Sequence, residues 1–308
     1  MSDKKIAVVM SSYNGEEYIK QQLDSILSQK CKYSIDIYIR DDGSKDRTVE
    51  IIRDYQKEHS SIRLSVGKNM GYNASFFTLL KSIDGYDYYS FADQDDVWLD
   101  NKLQCAVEMM EAEEQDIPLL YGSCSYLVHD NLKPFGTTQE NIRPITFYNT
   151  IIHNFLPGHS QVMNDKLNRI LRDTEIDYSK LYVYDAWITN VAMVEGKLIF
   201  DNNPHTYYRQ HGDNGLGFGE SKLDWFTERF KRIGKSQSKK YAVQIDYFLE
   251  VYGKDLKPEY AVEMQKYQQG KKSTLSRGKY AMHTKLYRQK QSEDKLFKVL
   301  YIAGQYNA

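Results

Sequence analysis

The chain has little cysteine. Cys31, Cys105 and Cys124 in 308 residues are odd in number and far apart. That spacing excludes a disulfide framework and a cysteine metal site, and it suits a reducing cytosol. Long apolar runs are missing too; no stretch reaches the roughly 18 residues that a membrane-spanning helix needs. The opening residues MSDKKIAVVMSSYN pass from a charged leader straight into a strand pattern. They lack the apolar core and small-residue cleavage site of a secretory signal, so a cytoplasmic location is expected. No internal repeat is visible. What is present, 41% hydrophobic and 27% charged residues, is the composition of an ordinary globular protein. The length allows one large α/β domain with an appendage, or two modest domains.

Charge is balanced overall, with 41 Lys+Arg against 42 Asp+Glu. The balance hides an asymmetry. Residues 222–308 hold 19 basic and 9 acidic side chains, leaving 22 basic and 33 acidic in residues 1–221. The two regions therefore face different partners, or partly each other. An acidic body repels polyanions, so a nucleotide diphosphate would need a cation to bind there.

Lys5–Met10, Ile35–Arg40, Ile62–Val66 and Asp87–Ala92 are short, apolar, β-rich runs. Helical spacing separates them, with Ile19, Leu23 and Leu27 in the first interval and Val49, Ile52 and Tyr55 in the second. This alternation predicts a mostly parallel sheet covered by helices on both faces. Ligands bind such sheets at the carboxyl ends of the strands. Three polar clusters fall there: Ser11-Ser12-Tyr13-Asn14-Gly15, Asp41-Asp42-Gly43-Ser44 and Asp93-Gln94-Asp95-Asp96. Beyond residue 100 the pattern predicts strands at Leu119–Val128, Gly158–Asn164, Lys197–Asp201 and His205–Arg209. Helices are expected near 100–114, 146–155 and 185–195. A boundary is expected near residue 220, before a Lys-, Tyr- and Gln-rich helical region.

Three carboxylates within four residues at 93–96 repel one another, and a divalent cation relieves that cost. Oxygen ligands in small number suit Mg²⁺ or Mn²⁺, which take further ligands from water and substrate phosphates. The ordinary alternative is an acidic turn in which Asp96 or Asp100 caps the next helix. At the second cluster, a strand-end carboxylate can accept a hydrogen bond from a pyrimidine N3–H; the alternative is a capped turn. Asp185, flanked by Tyr184 and Trp187, suits a general base whose pKa is raised by desolvation, or a helix cap. In Tyr207-Tyr208-Arg209-Gln210-His211, arginine suits phosphate and imidazole suits a metal, although a lone histidine is more often structural.

Taken together, SSYNG, DDGS, the loop Asn69-Met70-Gly71, DQDD and an aromatic-flanked aspartate resemble, in that order, the family 2 glycosyltransferases over roughly residues 5–215. The resemblance implies a GT-A fold, with a Rossmann-like nucleotide-binding half (1–100), an acceptor-binding half (101–220) and a helical C-terminal extension (221–308). It implies that Asp41 reads the base, with Ser11, Tyr13, Asn14, Asp42, Asn69 and Asp93 also around the nucleotide. Asp95, with Asp93 and His211, would hold the metal, and Asp185 would be the catalytic base. Asp96, Trp98 and Trp187 would meet the acceptor. DQDDVW and YRQHGDN look most like the branch containing bacterial rhamnosyltransferases of cell-wall and capsule polysaccharides. A nucleotide-diphosphate sugar donor and a carbohydrate or lipid-linked acceptor follow as expected partners.

Competing readings are weaker. A dinucleotide-dependent oxidoreductase would want G-x-G-x-x-G after the first strand, and Ser11–Glu16 holds one glycine. A two-carboxylate hydrolase needs a protonated acid that nothing in the sequence singles out. A non-catalytic sugar-nucleotide sensor would not need Asp93, Asp95 and Asp185. The basic C-terminal region carries Lys231, Arg232, Lys235, Lys239 and Lys240 after Trp225, Phe226 and Phe230. A second run extends from Lys271 to Lys290. Contact with an anionic membrane surface is one expectation, and pairing with the acidic body or with a second subunit is the other. Nucleic acid is not expected, because no recognised fold accompanies the charge.

Overall fold

The computed structural model describes residues 4–138, 143–210 and 235–307. Its strands are β1 (Lys5–Ser12), β2 (Ser34–Asp41), β3 (Ile62–Val66), β4 (Tyr88–Ala92), β5 (Val97–Trp98), β6 (Leu119–Val128), β7 (Pro134–Thr137), β8 (Val162–Asn164) and β9 (Lys197–Arg209). Its helices are α1 (Ile19–Leu27), α2 (Thr48–Glu58), α3 (Tyr72–Lys81), α4 (Lys102–Glu111), α5 (Phe147–Thr150), α6 (Asp165–Asp173) and α7 (Tyr184–Glu195). In the C-terminal region follow α8 (Lys235–Tyr252), α9 (Pro258–Gly270), α10 (Thr274–His283) and α11 (Gln291–Ile302).

All nine strands join one sheet in the order β3-β2-β1-β4-β8-β6-β9-β5, with β7 added against β6. The first four are parallel. β8 lies antiparallel to both β4 and β6, so β6 and its parallel neighbour β9 again run with β1. This is the mostly parallel α/β arrangement expected. Ile6, Val8 and Met10 of β1 pack with Ile37 and Ile39 of β2, and Ile19, Leu23 and Ile26 of α1 cover them. The parallel register aligns Ser12 with Asp41 and Met10 with Ala92, so the three polar clusters emerge along one edge.

The chain divides into two compact units, each discontinuous in sequence. Unit 1 comprises Met1–Glu140, Leu156–Ile176 and Glu195–Gly212; unit 2 comprises Asn141–Phe155, Asp177–Val194 and Asp213–Ala308. The segment carrying Asp185 thus groups with the C-terminal helices, and the region around residue 220 lies outside the described residues. Unit 2 is held together by rings. Trp187 is fully buried, 5.1 Å from Tyr247 and 5.3 Å from Phe248 between ring centres. Tyr267, Tyr280 and Tyr301 form a second cluster.

Two local patterns differ from the sequence reading. Residues 197–201 and 205–209 form one strand, β9, with register shifts opposite Ser123 and Cys124. Asp201 absorbs the irregularity by accepting from the Asn203 backbone N–H at 2.8 Å, so the chain continues through Pro204 without a break. The expected strand at 158–164 begins instead as a 3₁₀ turn, Gly158–Ser160, and becomes β8 only at Val162.

Candidate active site

The three strand-end clusters of unit 1 are fastened to one another by hydrogen bonds. Asn14 adopts φ 47°, a left-handed conformation that asparagine tolerates better than most residues. Its side-chain oxygen accepts from the Lys45 N–H at 2.8 Å, and its own N–H donates to Ser44 Oγ at 2.9 Å. Gln94 clamps the first loop from the other side, accepting from the Tyr13 N–H at 2.9 Å and donating to the Tyr13 carbonyl at 3.0 Å. A side chain at Gly15 would meet the Gln94 amide and displace it from its two bonds to Tyr13. Ser11 Oγ lies 2.6 Å from Ser75 Oγ at the start of α3.

Asp41 is fully buried. Its carboxylate accepts from the Gly43 N–H, the Ser44 N–H, the Ser44 hydroxyl and the Ser12 hydroxyl. Those four bonds occupy the roughly four acceptor positions of a carboxylate. Asp42 is equally committed: it pairs with Arg40 at 2.5 Å and accepts from the Met70 and Gly71 backbone. Both aspartates therefore hold the strand-end loops in place. Tyr13, Asn14 and Asn69 are the exposed members of the set.

The Asp93–Asp96 turn is anchored by Arg209 from the end of β9. The buried guanidinium donates to the Asp95 carbonyl at 2.9 Å, to Gln21 at 2.6 Å and to the Asp130 carbonyl, and it lies over the Tyr18 ring. Arginine was expected to suit phosphate; here its donors serve the turn. Asp96 caps no helix: it is fully buried and accepts from the Arg209 N–H at 3.2 Å. Asn101 precedes α4, and Asp100 pairs with Lys30 at 2.6 Å.

A histidine that the sequence reading left within a strand completes this turn. The antiparallel register of β8 on β4 pairs Tyr88 with Asn164 and Ser90 with Val162. Carried three residues further, it sets His159 opposite Asp93. His159 is fully buried. Its Nε2 lies 3.0 Å from Ser125 Oγ, while Nδ1 faces Asp96 Oδ2 at 3.3 Å and Asp93 Oδ2 at 3.6 Å. Neither Nδ1 nor Asp96 Oδ2 has a hydrogen-bond partner. Among the described residues, Asp93, Asp96 and His159 are the cluster whose ligand atoms all lie within 4.8 Å of one another. Opposite ligands of an octahedral cation stand about 4.2 Å apart, so the cluster fits a metal ion after a small contraction. Asp95 is half-buried on the same turn, and His211 lies outside the described residues.

The electrostatics agree with the crowding of acids. Burial, then the charges of Asp95 and Asp93, push the Asp96 carboxyl well above the usual carboxylate range. Lys102 is buried beside it, 3.3 Å from Ser90 Oγ and 3.8 Å from the centre of the Trp98 ring. Burial pushes its ammonium down to about 7, against the pull of Asp96. The Tyr208 ring packs 4.5 Å from the His159 ring, and its hydroxyl is pushed up by burial and by all three aspartates. Trp98 belongs to the buried core of the sheet. Neither it nor Trp187 presents a face to solvent.

In unit 2, Asp185 sits in the first turn of α7 and is buried. Its Oδ1 accepts from Asn154 at 2.9 Å and from the Ala186 N–H at 2.7 Å. Asp177 is exposed and caps a 3₁₀ turn, accepting from the Ser179 N–H at 3.0 Å.

Residues 7–153 match the family model described as glycosyl transferase family 2. The dTDP-rhamnosyl transferase RfbG of Shigella flexneri is 28% identical over 77% of this chain and 82% of its own length. An uncharacterised glycosyltransferase of Methanocaldococcus jannaschii is 29% identical over 62% of this chain and 66% of its own. Among solved structures, S. aureus TarS 1-349 in complex with UDP aligns with TM-score 0.54 and 16% identity, covering 98% of this chain and 88% of that one. The mannosyltransferase PcManGT of Pyrobaculum calidifontis, in complex with GDP-Man and Mn²⁺, aligns with TM-score 0.50 and 14% identity, covering 97% and 85%. Residues 7–153 thus carry a family 2 glycosyl transferase domain, and with the GT-A fold around it the chain is a glycosyltransferase.

Proposed function

We propose that the chain is an inverting, metal-dependent transferase that moves a sugar from a nucleotide diphosphate to a carbohydrate or lipid-linked oligosaccharide acceptor. The observation that carries this reading is the convergence of Asp93, Asp96 and His159 at the strand ends, where the buried His159 Nδ1 and Asp96 Oδ2 face each other at 3.3 Å without a hydrogen bond. Asp93, Asp96 and His159 would hold the cation, with Asp95 close by on the same turn. Two carboxylates and one imidazole favour Mn²⁺ over Mg²⁺, since imidazole suits later transition metals and oxygen ligands suit both. When bound, the cation supplies Lewis-acid charge for a diphosphate leaving group.

The chain's own residues divide the remaining work. Asp41 and Asp42 fix the loops that present Tyr13, Asn14 and Asn69 to the nucleotide. Asp185 removes the acceptor hydroxyl proton as that oxygen attacks the anomeric carbon. The bond from the anomeric carbon to the diphosphate oxygen breaks with its electron pair on the diphosphate. One displacement inverts the anomeric centre. The best donor is dTDP-rhamnose, on the strength of the relative from Shigella flexneri and of the DQDDVW motif; a UDP-hexose or UDP-N-acetylhexosamine is the alternative. The acceptor would be a growing surface polysaccharide or its lipid-linked precursor.

The test is a donor screen with Mn²⁺ present and absent, reading nucleoside diphosphate release with dTDP-rhamnose, UDP-glucose, UDP-galactose and UDP-N-acetylhexosamines. Release from one donor, dependent on the cation, is expected. Equal release in chelator would remove the metal from the reading. A parallel measurement of free Mn²⁺ by electron paramagnetic resonance should show His159→Gln weakening binding at least tenfold. If Asp95→Asn weakens binding and Asp96→Asn does not, the ligand set moves to Asp95.

A further inference from the structure

Unit 2 has a face on which basic and aliphatic side chains alternate and acids are missing. On α10, Leu275, Lys279 and Met282 fall at i, i+4 and i+7; on α11, Lys295, Val299 and Ile302 do the same. That spacing puts each trio on one side of its helix. Arg277 Nε donates to the Ile302 carbonyl at 2.8 Å, which brings the start of α10 to the end of α11. Leu275 is 86% exposed, Met282 70% and Val299 61%. Exposed aliphatic groups that share one helix face, rather than scatter singly, mark protein or membrane contacts.

Within the two helices and the segment joining them, the exposed charge has one sign, although exposed Glu259 lies near Lys285 through Tyr148. Residues 271–302 hold nine Lys+Arg and two acids, Glu293 and Asp294. Both acids turn inward. Glu293 is buried, 3.4 Å from His153, and Asp294 pairs with Arg143. Lys271 is spent on Asp246 at 2.7 Å. Lys272, Lys279, Lys285, Lys290 and Lys295 remain exposed, with no exposed carboxylate among them.

From this face we infer that α10 and α11 dock the protein onto an anionic lipid bilayer, with the lysines at the headgroups and Leu275, Met282 and Val299 entering the acyl boundary. Charge and shape select that occupant. A second copy meeting this face through a two-fold axis would set lysine against lysine. A polyanion in water offers phosphates but nothing apolar for Leu275 or Val299. An anionic bilayer offers both. The inference does not depend on the transfer chemistry, because its readout is binding.

The test is co-sedimentation of the full chain with phosphatidylcholine vesicles, with and without phosphatidylglycerol, at low and high salt. Binding to the anionic vesicles should exceed binding to the neutral ones by about tenfold or more and fall as salt rises. Lys272→Glu/Lys279→Glu/Lys295→Glu should weaken it on the order of 100-fold or more, since each lysine near the surface is worth roughly a factor of five. Leu275→Ser/Met282→Ser/Val299→Ser should weaken it about tenfold or more. All six side chains are exposed, so both variants should keep the wild-type melting temperature. One that does not is replaced by single Lys→Gln or Leu→Ser changes. Equal binding to both vesicle types, or none at low salt, overturns the inference. So does an apolar variant that binds as wild type, which would leave charge alone at work. A dimer by light scattering that the apolar variant splits would assign the face to a second copy.

Discussion

The two compact units bury polar atoms in different ways. Unit 1 takes whole carboxylates into its interior and surrounds them with donors: Asp41 with four hydrogen bonds, Asp42 with Arg40 and two backbone N–H groups. Unit 2 is built mainly on stacked rings; Tyr280 donates to buried Glu263 at 2.8 Å, whereas the buried hydroxyls of Tyr241 and Tyr267 make no hydrogen bond among the described residues. The first arrangement fixes atoms to within a hydrogen-bond length, which suits a cation and a diphosphate. The second supplies apolar area and rigid shape, which suits a scaffold that displays one aspartate. On the function proposed, unit 1 would hold the cation and the donor, while the rings of unit 2 would support Asp185.

That contrast can be tested at both ends. The largest effect is expected at Asp185. Asp185→Asn should keep Mn²⁺ and donor affinity yet lose on the order of 10²–10⁴ in transfer rate. If it stays within a few-fold of wild type, Asp185 is not the base, and the search moves to Asp213, outside the described residues. Next, Trp187→Ala removes a ring packed on Tyr247, Phe248 and Tyr252 and should cost about 3–5 kcal/mol in urea unfolding. Equal loss of Mn²⁺ affinity in that variant, measured below the transition, would erase the division of labour.

Ser125→Ala leaves His159 Nε2 without its partner and should weaken Mn²⁺ binding about tenfold or more, less than the loss of His159 itself. No change would mean that the ring is oriented by packing on Tyr208. The smallest effect is far from the site. Burial alone would raise the Glu111 pKa, but hydrogen bonds from Lys32, Lys4 and Tyr33 hold it down at about 2. A depressed carboxylate stabilises the fold above its unfolded value of 4.5, and that contribution is lost as pH falls through about 2. Glu111→Gln should therefore cost about 1–3 kcal/mol at pH 7. The gap to wild type should close in acid, as urea midpoints at several pH values would show.

How far the sequence could be read follows the same division. The strands β1 to β4 and the clusters at their ends were legible because a parallel α/β sheet repeats one local pattern: a β-branched run, then a polar turn. Contiguity made Asp93–Asp96 stand out. His159 was hidden because it reaches that turn through the register of β8 on β4, a pairing between segments some 70 residues apart. A histidine after Pro157-Gly158 at the mouth of a short apolar run was the available signal. The family resemblance implies Trp98 and Trp187 beside an acceptor, but their area is spent on the core. Arg209 carries the right chemistry for phosphate, yet its donors hold the turn. Composition gave the sign of the C-terminal charge; only the fold separated the lysines that remain exposed from the acids that turn inward.

The discontinuity of unit 2 has a consequence for how the protein is made. A ribosome delivers α7 well before α8, and Trp187 emerges with the residues it packs on, Tyr247 to Tyr252, still unsynthesised. At about 5–20 residues per second, some 60 residues of further synthesis leave that ring waiting roughly 3–12 seconds. During the wait the strands of unit 1 can already pair, since β9 ends at Arg209. The nascent chain thus completes the Asp93–Asp96 turn first and carries an apolar α7 that awaits its partners until the later helices arrive. Expression at lower temperature, or with a holdase present, should raise the soluble yield more than any change made in the sheet.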